Sequence, residues 1–517
     1  MPMRRRTFVA LASLSVLGRP WAQPARMLQP SVLQQDPFTL GVASGDPKPQ
    51  RIVLWTRLAP DPLGNGGMPS LPAEVTWELG LDRKFAQVMR QGQAIAWAEH
   101  GHALHVRVGG LKPATRYFYR FRFGRYASRV GTFRTAPAEN ADVPARIGVV
   151  SCNRYEDGWF HAFRHLANED LDLVLHTGDY IYTKVPRPER PRAFEERECM
   201  TLDDYRRRYA RYRLDGDLQR LHAAVPFTGI WDDHEVAGNW AGSSAKGGIP
   251  DPVFAVRRAA AFQAFWEAMP FELEAPVPGG ELRQYRTLNW GRNARLIQLD
   301  TRQYRADQAC GDRTTALCDE AFAPGREMLG QRQSEWLAGE LAGRGNAWPL
   351  VAQGVPPLPL DHAPGEAVAV PMDKWSGYPH ARDAFERQLA VAAPVVTLAG
   401  DLHGHYAATR SNPDTGEHAG ADFVTTSISS AGDGREHDLD WPVLQAENPE
   451  LVYHSRRRGY LVIDADTERV EADFRIVDRI TTKAHKFFSD ARAIVAPDGR
   501  LEVDDERRLL REVKAAP

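Results

Sequence analysis

Four segments of this chain place metal-ligand side chains just beyond a short apolar run. They hold Cys152; Asp179 with Tyr182; Asp233 with His234; and Asp401 with His403 and His405. Asp179 and Tyr182 lie in a GDYIY run at 178–182, where a carboxylate and a phenol three residues apart can share one site. Thiolate, phenolate and imidazole (Cys152, Tyr182, His403) suit a transition metal, and a phenolate favours ferric iron. The oxygens of Asp233, Asp401 and Asn239 suit a harder ion such as calcium, and Asp179 would bridge the two. Buried carboxylates left unpaired cost several kcal/mol each, and a shared dinuclear site would satisfy them together. The competing explanation is a set of unrelated caps and salt bridges.

These side chains need a common edge, and the apolar runs before them supply one. Residues 145–150, 171–175, 225–231, 294–300, 348–354 and 394–400 each have the length and composition of a buried strand of a parallel sheet. In open α/β sheets ligands bind beyond the carboxyl ends of the strands. Residues 145–182 read as one β-α-β unit, so Cys152 and Asp179 should converge. Helices are expected at 158–168, 201–213, 217–224, 253–269, 330–344 and 381–392, and a short charged helix at 504–514. Before all of this, residues 38–136 alternate in short runs punctuated by Gly and Pro, as an immunoglobulin- or fibronectin-like sandwich would. A Pro- and Ala-containing linker at 136–144 marks the boundary. The expected division is a leader at 1–35, a β-sandwich at 36–140, a catalytic domain at 141–485 and a helical tail at 486–517.

The chain has 517 residues, 43% hydrophobic and 26% charged, with a formal net charge of -2, so no global basic field argues for nucleic acid. No apolar run reaches the length of a membrane span. Arg4, Arg5 and Arg6 precede an apolar segment and small residues, the layout of a secretory signal, and Arg5-Arg6 followed by Thr7, Phe8 and Val9 resembles a twin-arginine export signal. The expected location is periplasmic or secreted, with the twin-arginine translocation machinery as a partner. Cys310 and Cys318 bracket a small loop and read as a local disulfide, while Cys199 reads as a buried thiol.

The GDYIY run, WDDHE at 231–235 and GDLH at 400–403 resemble the signature blocks of calcineurin-like metallophosphoesterases, and most closely the PhoD-type alkaline phosphatase and phosphodiesterase family. Residues 38–46, 54–57, 299–305, 328–337 and 375–378 extend that resemblance over nearly the whole mature chain. It implies an α/β fold: a four-layer α/β/β/α metallophosphoesterase core preceded by a small all-β sandwich. It implies a site in which Cys152 is the thiolate ligand, Asp179 the bridge and Tyr182 the phenolate. Asp233, Asp401 and His403 complete the ligand set, with Asn239 available to a further cation. The implied cofactors are iron (Fe3+) and calcium, with zinc, manganese or magnesium as alternatives. The implied substrate is a phosphate ester, attacked by metal-activated hydroxide. His234 would protonate the leaving oxygen or polarise the phosphoryl group. Arg302 would hold phosphate, or else pair with Asp300. His405 is expected to support a ligand, and Tyr304, Trp375 and Tyr378 either line the cleft or simply pack. Two other activities remain open: a phospholipase D-like phosphodiesterase and a non-catalytic, metal-stabilised binding protein.

Overall fold

The structure, a computed structural model, describes residues 26–246, 252–277, 279–343, 345 and 347–514. Most of the expected leader therefore lies outside the described residues.

Two large mixed sheets face each other. The first has three parallel strands at its centre, Ala145–Val150, Leu173–His176 and Phe227–Gly229. Antiparallel strands Arg458–Ala465, Val470–Val477 and His485–Val495 extend it on one side. The second sheet carries Ala294–Gln298, Trp348–Ala352, Val395–Ala399 and His418–Val424 in parallel.

The apolar runs are continuous because both faces of these strands are covered. Val149, Leu173 and Leu175 of the first sheet share a core with Leu296, Leu350, Leu398 and Phe423 of the second. The neighbouring Val150, Val174 and Phe227 point the other way, into a core with Phe163, Leu218, Phe262 and Phe265 of the helices His161–Leu166, Gly216–Ala224 and Pro252–Ala268. On the outer face of the second sheet, Ile297, Val351 and Val395 meet Leu337 and Phe385 of helices Gln331–Ala342 and Pro379–Ala390. Alternate side chains of one strand thus enter different cores. The helix Leu202–Arg213 starts where its sequence says it should. Thr201 and Asp204 form a capping box.

The N-terminal region is built mostly of strands, with short 3-10 turns at Pro30–Val32 and Ala98–His100. Strands Ala73–Gly80, Val88–Ala96 and Arg116–Phe123 form one sheet. Its Val75, Tyr119 and Phe121 share a core with Leu54 and Val106 of the facing strands Arg51–Arg57 and Ala103–Val108. That facing sheet is continuous with the first large sheet, because Gly45 pairs in parallel with Phe227.

The expected helical tail is corrected. Residues 486–514 are β: the end of His485–Val495, then Leu501–Asp504 and Arg508–Val513. The strand His485–Val495 offers a free ladder edge to both later segments, and the backbone takes it. The charge density that suggested an exposed helix instead marks an exposed edge strand. Cys310 and Cys318 are disulfide-bonded and Cys199 is a buried free thiol.

Candidate metal centre

The strand ends are brought together by glycines that leave no room for a side chain. A Cβ on Gly178, whose φ is +108°, would lie 2.4 Å from the Cβ of Asp232, closing the gap between the second and third strand ends of the first sheet. A Cβ on Gly400 would lie 2.2 Å from Ser151 Oγ, so the second sheet reaches the first only because residue 400 is glycine. Past the strands, the loops run side by side: Cys152 N–H donates to Gly178 O at 3.1 Å and Asn153 N–H to Asp179 O at 3.1 Å. Glu235 ties the next loop in. Its carboxylate accepts from Asp179 N–H at 3.1 Å, from Asp232 N–H at 2.9 Å and from Tyr180 N–H.

Two clusters of donor atoms result. Cys152, Asp179 and His403 offer ligand atoms all within 4.8 Å of one another, and so do Asp179, Asp233 and His234. Asp179 belongs to both, as expected of the bridge. The Tyr182 hydroxyl stands 3.2 Å from His403 Nε2 and accepts from Ser430 Oγ at 2.6 Å, which places the phenol beside the first cluster. His234 is fixed by its backbone N–H on Asp179 Oδ1 at 3.2 Å and by its ring against Tyr182 at 4.3 Å.

The donor set fits a positive centre. Burial, and then the charge of Asp179, raise the Cys152 thiol and the Tyr182 phenol well above their ordinary values. Burial, Asp233 and Asp232 raise Asp179 itself. Burial lowers His403 well below the usual imidazole range and His234 to about 4. Buried anion-forming groups crowd together here with too little opposing charge, which a bound cation would supply. Two buried polar atoms without a hydrogen-bond partner, His234 Nδ1 and Asp232 Oδ2, belong to residues of this crowded region.

Three expected residues are placed differently. Asp401 is in neither cluster. Its carboxylate is paired with Lys374 Nζ. Asn239 turns its amide to Asp312 at 3.0 and 3.2 Å, and only its backbone N–H serves the site, donating to Asp233 Oδ2 at 2.7 Å. Arg302 is fully buried and touches no open cleft. Its Nε donates to Asp232 at 2.6 Å and its two terminal nitrogens donate to Asp373 at 2.9 and 3.1 Å. Asp300 does not pair with that guanidinium; it caps the backbone N–H groups of Arg302 and Gln303, each at 2.9 Å. His405 donates to Arg475 O and accepts from Thr426 N–H, away from the donor clusters. Trp375 stacks on Phe385 and Tyr378 donates to Ala306 O, so packing accounts for both.

Sequence reasoning gave no role to Glu235, Lys374 or Arg154. Glu235 carried a signal, since it closes the WDDHE block. The Arg154 guanidinium lies 4.2 Å over the Tyr182 ring, partly exposed at the site's rim.

The PhoD-like phosphatase family matches residues 147–474, and the N-terminal domain of PhoD-like phosphatases matches residues 23–137. Alkaline phosphatase D of Bacillus subtilis (strain 168) is 38% identical over 456 residues, covering 86% of this chain and 78% of that protein. Purple acid phosphatase 15 of Arabidopsis thaliana is 36% identical over 84 residues, 16% of each chain. The solved structure of PhoD superposes with a TM-score of 0.88 at 36% identity, covering 94% of both chains. A purple acid phosphatase from yellow lupin (Lupinus luteus) seeds shares the fold at a TM-score of 0.52 and 11% identity, over 84% of this chain and 71% of that one.

Proposed function

This chain belongs to the PhoD-like phosphatase family and is a phosphoric ester hydrolase, and from that premise we propose that it cleaves phosphate mono- and diesters at a dinuclear centre bridged by Asp179. The observation that carries the reading is the pair of donor clusters sharing Asp179. Cys152, Tyr182 and His403 on one side favour ferric iron, and Asp233 on the other favours calcium or another hard divalent ion. Cations held by these residues would supply Lewis acidity toward phosphate oxygens and a hydroxide nucleophile at moderate pH.

The chain's own residues do the rest. Asp179 holds the two halves of the site in one frame, and Glu235 holds Asp179 by its backbone. The His234 ring, fixed by Tyr182 and by its own N–H and with Nε2 3.8 Å from Asp233 Oδ2, is the group we assign to deliver a proton to the leaving oxygen. Arg154, at the rim over Tyr182, is available to a substrate oxygen. In this reading the core is the four-layer α/β/β/α phosphoesterase with an immunoglobulin-like sandwich in front. The disulfide and the twin-arginine-like start both support an exported protein that works in the periplasm or outside the cell.

The test is release of nitrophenol from p-nitrophenyl phosphate and bis-p-nitrophenyl phosphate, with metal content measured on the same samples. Asp179→Ala should lose metal and activity together, and His234→Ala should lower turnover about 10²–10⁴-fold in a folded protein. Full metal content with full activity in Asp179→Ala would sink the reading.

A further inference from the structure

Of the two carboxylates expected on the hard ion, Asp233 stands within a donor cluster and Asp401 does not, while the Asn239 amide is turned to Asp312. For Asp401 the reason is a lysine. Lys374 Nζ is paired with Asp401 Oδ2 and lies 3.3 Å from Asp373 Oδ2. Its backbone is anchored next to a turn, with Lys374 N–H on Pro371 O at 3.2 Å and Gly377 N–H on Lys374 O at 3.0 Å. Asp373 is in turn clamped by Arg302, by Arg305 and by Gln308 Nε2 at 2.7 Å. The ammonium is thus held from below, and only 14% of the Lys374 side chain is exposed.

We infer that the Lys374 ammonium is the resident cation of Asp401, taking the place of a metal ion, so that Asp401 is not a metal ligand in this chain. A divalent ion on the same carboxylate would face a fixed positive charge at contact distance, and Coulomb repulsion excludes it. An ammonium differs from a bound calcium ion in having one charge, no exchange with solvent and no response to chelators. The site would therefore need one fewer hard ion than its ligand types suggest. This inference rests on the metal-centre reading above, because it concerns how many ions that centre holds.

The experiment counts metal per chain by elemental analysis after equilibrium dialysis against calcium. Asp401→Asn should keep the wild-type count. Lys374→Ser, which frees the Asp401 carboxylate, should gain one calcium per chain and show a larger calcium-dependent rise in melting temperature than the wild type does. Loss of an ion in Asp401→Asn, or an unchanged count in Lys374→Ser, overturns the inference. Should Lys374→Ser fail to fold, Asp401→Asn alone decides. A wild-type protein with no bound metal at all would instead refute the metal-centre reading.

Discussion

Replacing Arg302 with methionine separates a phosphate-binding role from a positioning one. The guanidinium is buried, bonded to Asp232 and Asp373 and 4.0 Å from Asp233 Oδ1. The two carboxylates would suffer unequally. Asp373 keeps Arg305, Lys374 at 3.3 Å and Gln308 at 2.7 Å. Asp232 loses its one ion pair at 2.6 Å, and its other oxygen has no hydrogen-bond partner to begin with. The loss is then that of one buried carboxylate stripped of its partner, about 3–5 kcal/mol. At about 2–4 °C per kcal/mol for domains of a few hundred residues, the melting temperature should drop on the order of 10 °C. The double variant Arg302→Met with Asp232→Asn removes the stranded charge and should recover more than half of the loss. Circular dichroism melts, metal content and substrate saturation curves on the three proteins make the assay. A variant that melts like the wild type and differs only in a raised KM would mean that Arg302 touches phosphate after all, and the positioning argument would fail.

Acid should weaken the fold through buried histidines remote from the site. His161 and His165 are pushed down to about 4 and about 3 by burial, with His485 adding to both. Their folded values lie below the unfolded one of about 6.5. Their contribution is therefore complete above pH 6.5 and is lost as pH falls toward 4, at up to about 1.4 kcal/mol per pH unit for each group. Urea unfolding at pH 7.5 and pH 5 would show this, and His165→Phe, stacking on Phe487 as the imidazole does, should flatten the slope. At Cys152, where φ is +55°, the glycine variant should be more stable than the alanine variant by about 1 kcal/mol, the reverse of the usual order. Melting the two metal-free variants side by side checks it, and an alanine variant at least as stable as the glycine one would count against left-handed strain there.

The strands before the site were legible because each is buried on both faces and so reads as an unbroken apolar run; all six begin and end within two residues of where the pattern puts them, the third trimmed at both ends to Phe227–Gly229. The ligand types were legible because Cys152, Asp179, Tyr182 and His403 sit at fixed offsets from those runs. What the pattern could not carry is pairing between segments far apart in sequence. Nothing local distinguishes Lys374 from a surface lysine, yet its fold position sets the fate of Asp401. Arg302 next to Asp300 invited a local ion pair, but the strand end directs the guanidinium across to Asp232, 70 residues away. The tail failed for a related reason. Helix propensity is a local property, whereas a free strand edge on His485–Val495 is not.

Backbone conformation at the site adds a second kind of information absent from residue types. Cys152, Asp179, Asn239, Asp401 and His403 have φ of 55°, 60°, 52°, 69° and 56°. Asparagine and aspartate visit this left-handed region with some ease, but cysteine and histidine rarely do, at about 1–2 kcal/mol each. Such strain persists only where surrounding bonds dictate it. Here they do: Cys152 N–H is held by Gly178 O, Asn239 N–H by Asp233, and His403 O by the buried Arg458 guanidinium at 2.6 Å. The same left-handed turn recurs at Cys152, Asp179 and His403, on loops from two different sheets, and their ligand atoms lie within 4.8 Å of one another. The same turn at Asp401 aims its carboxylate at Lys374. One backbone device therefore serves both the metal cluster and the ammonium beside it, and the identity of the residue at 374 decides which kind of cation Asp401 receives.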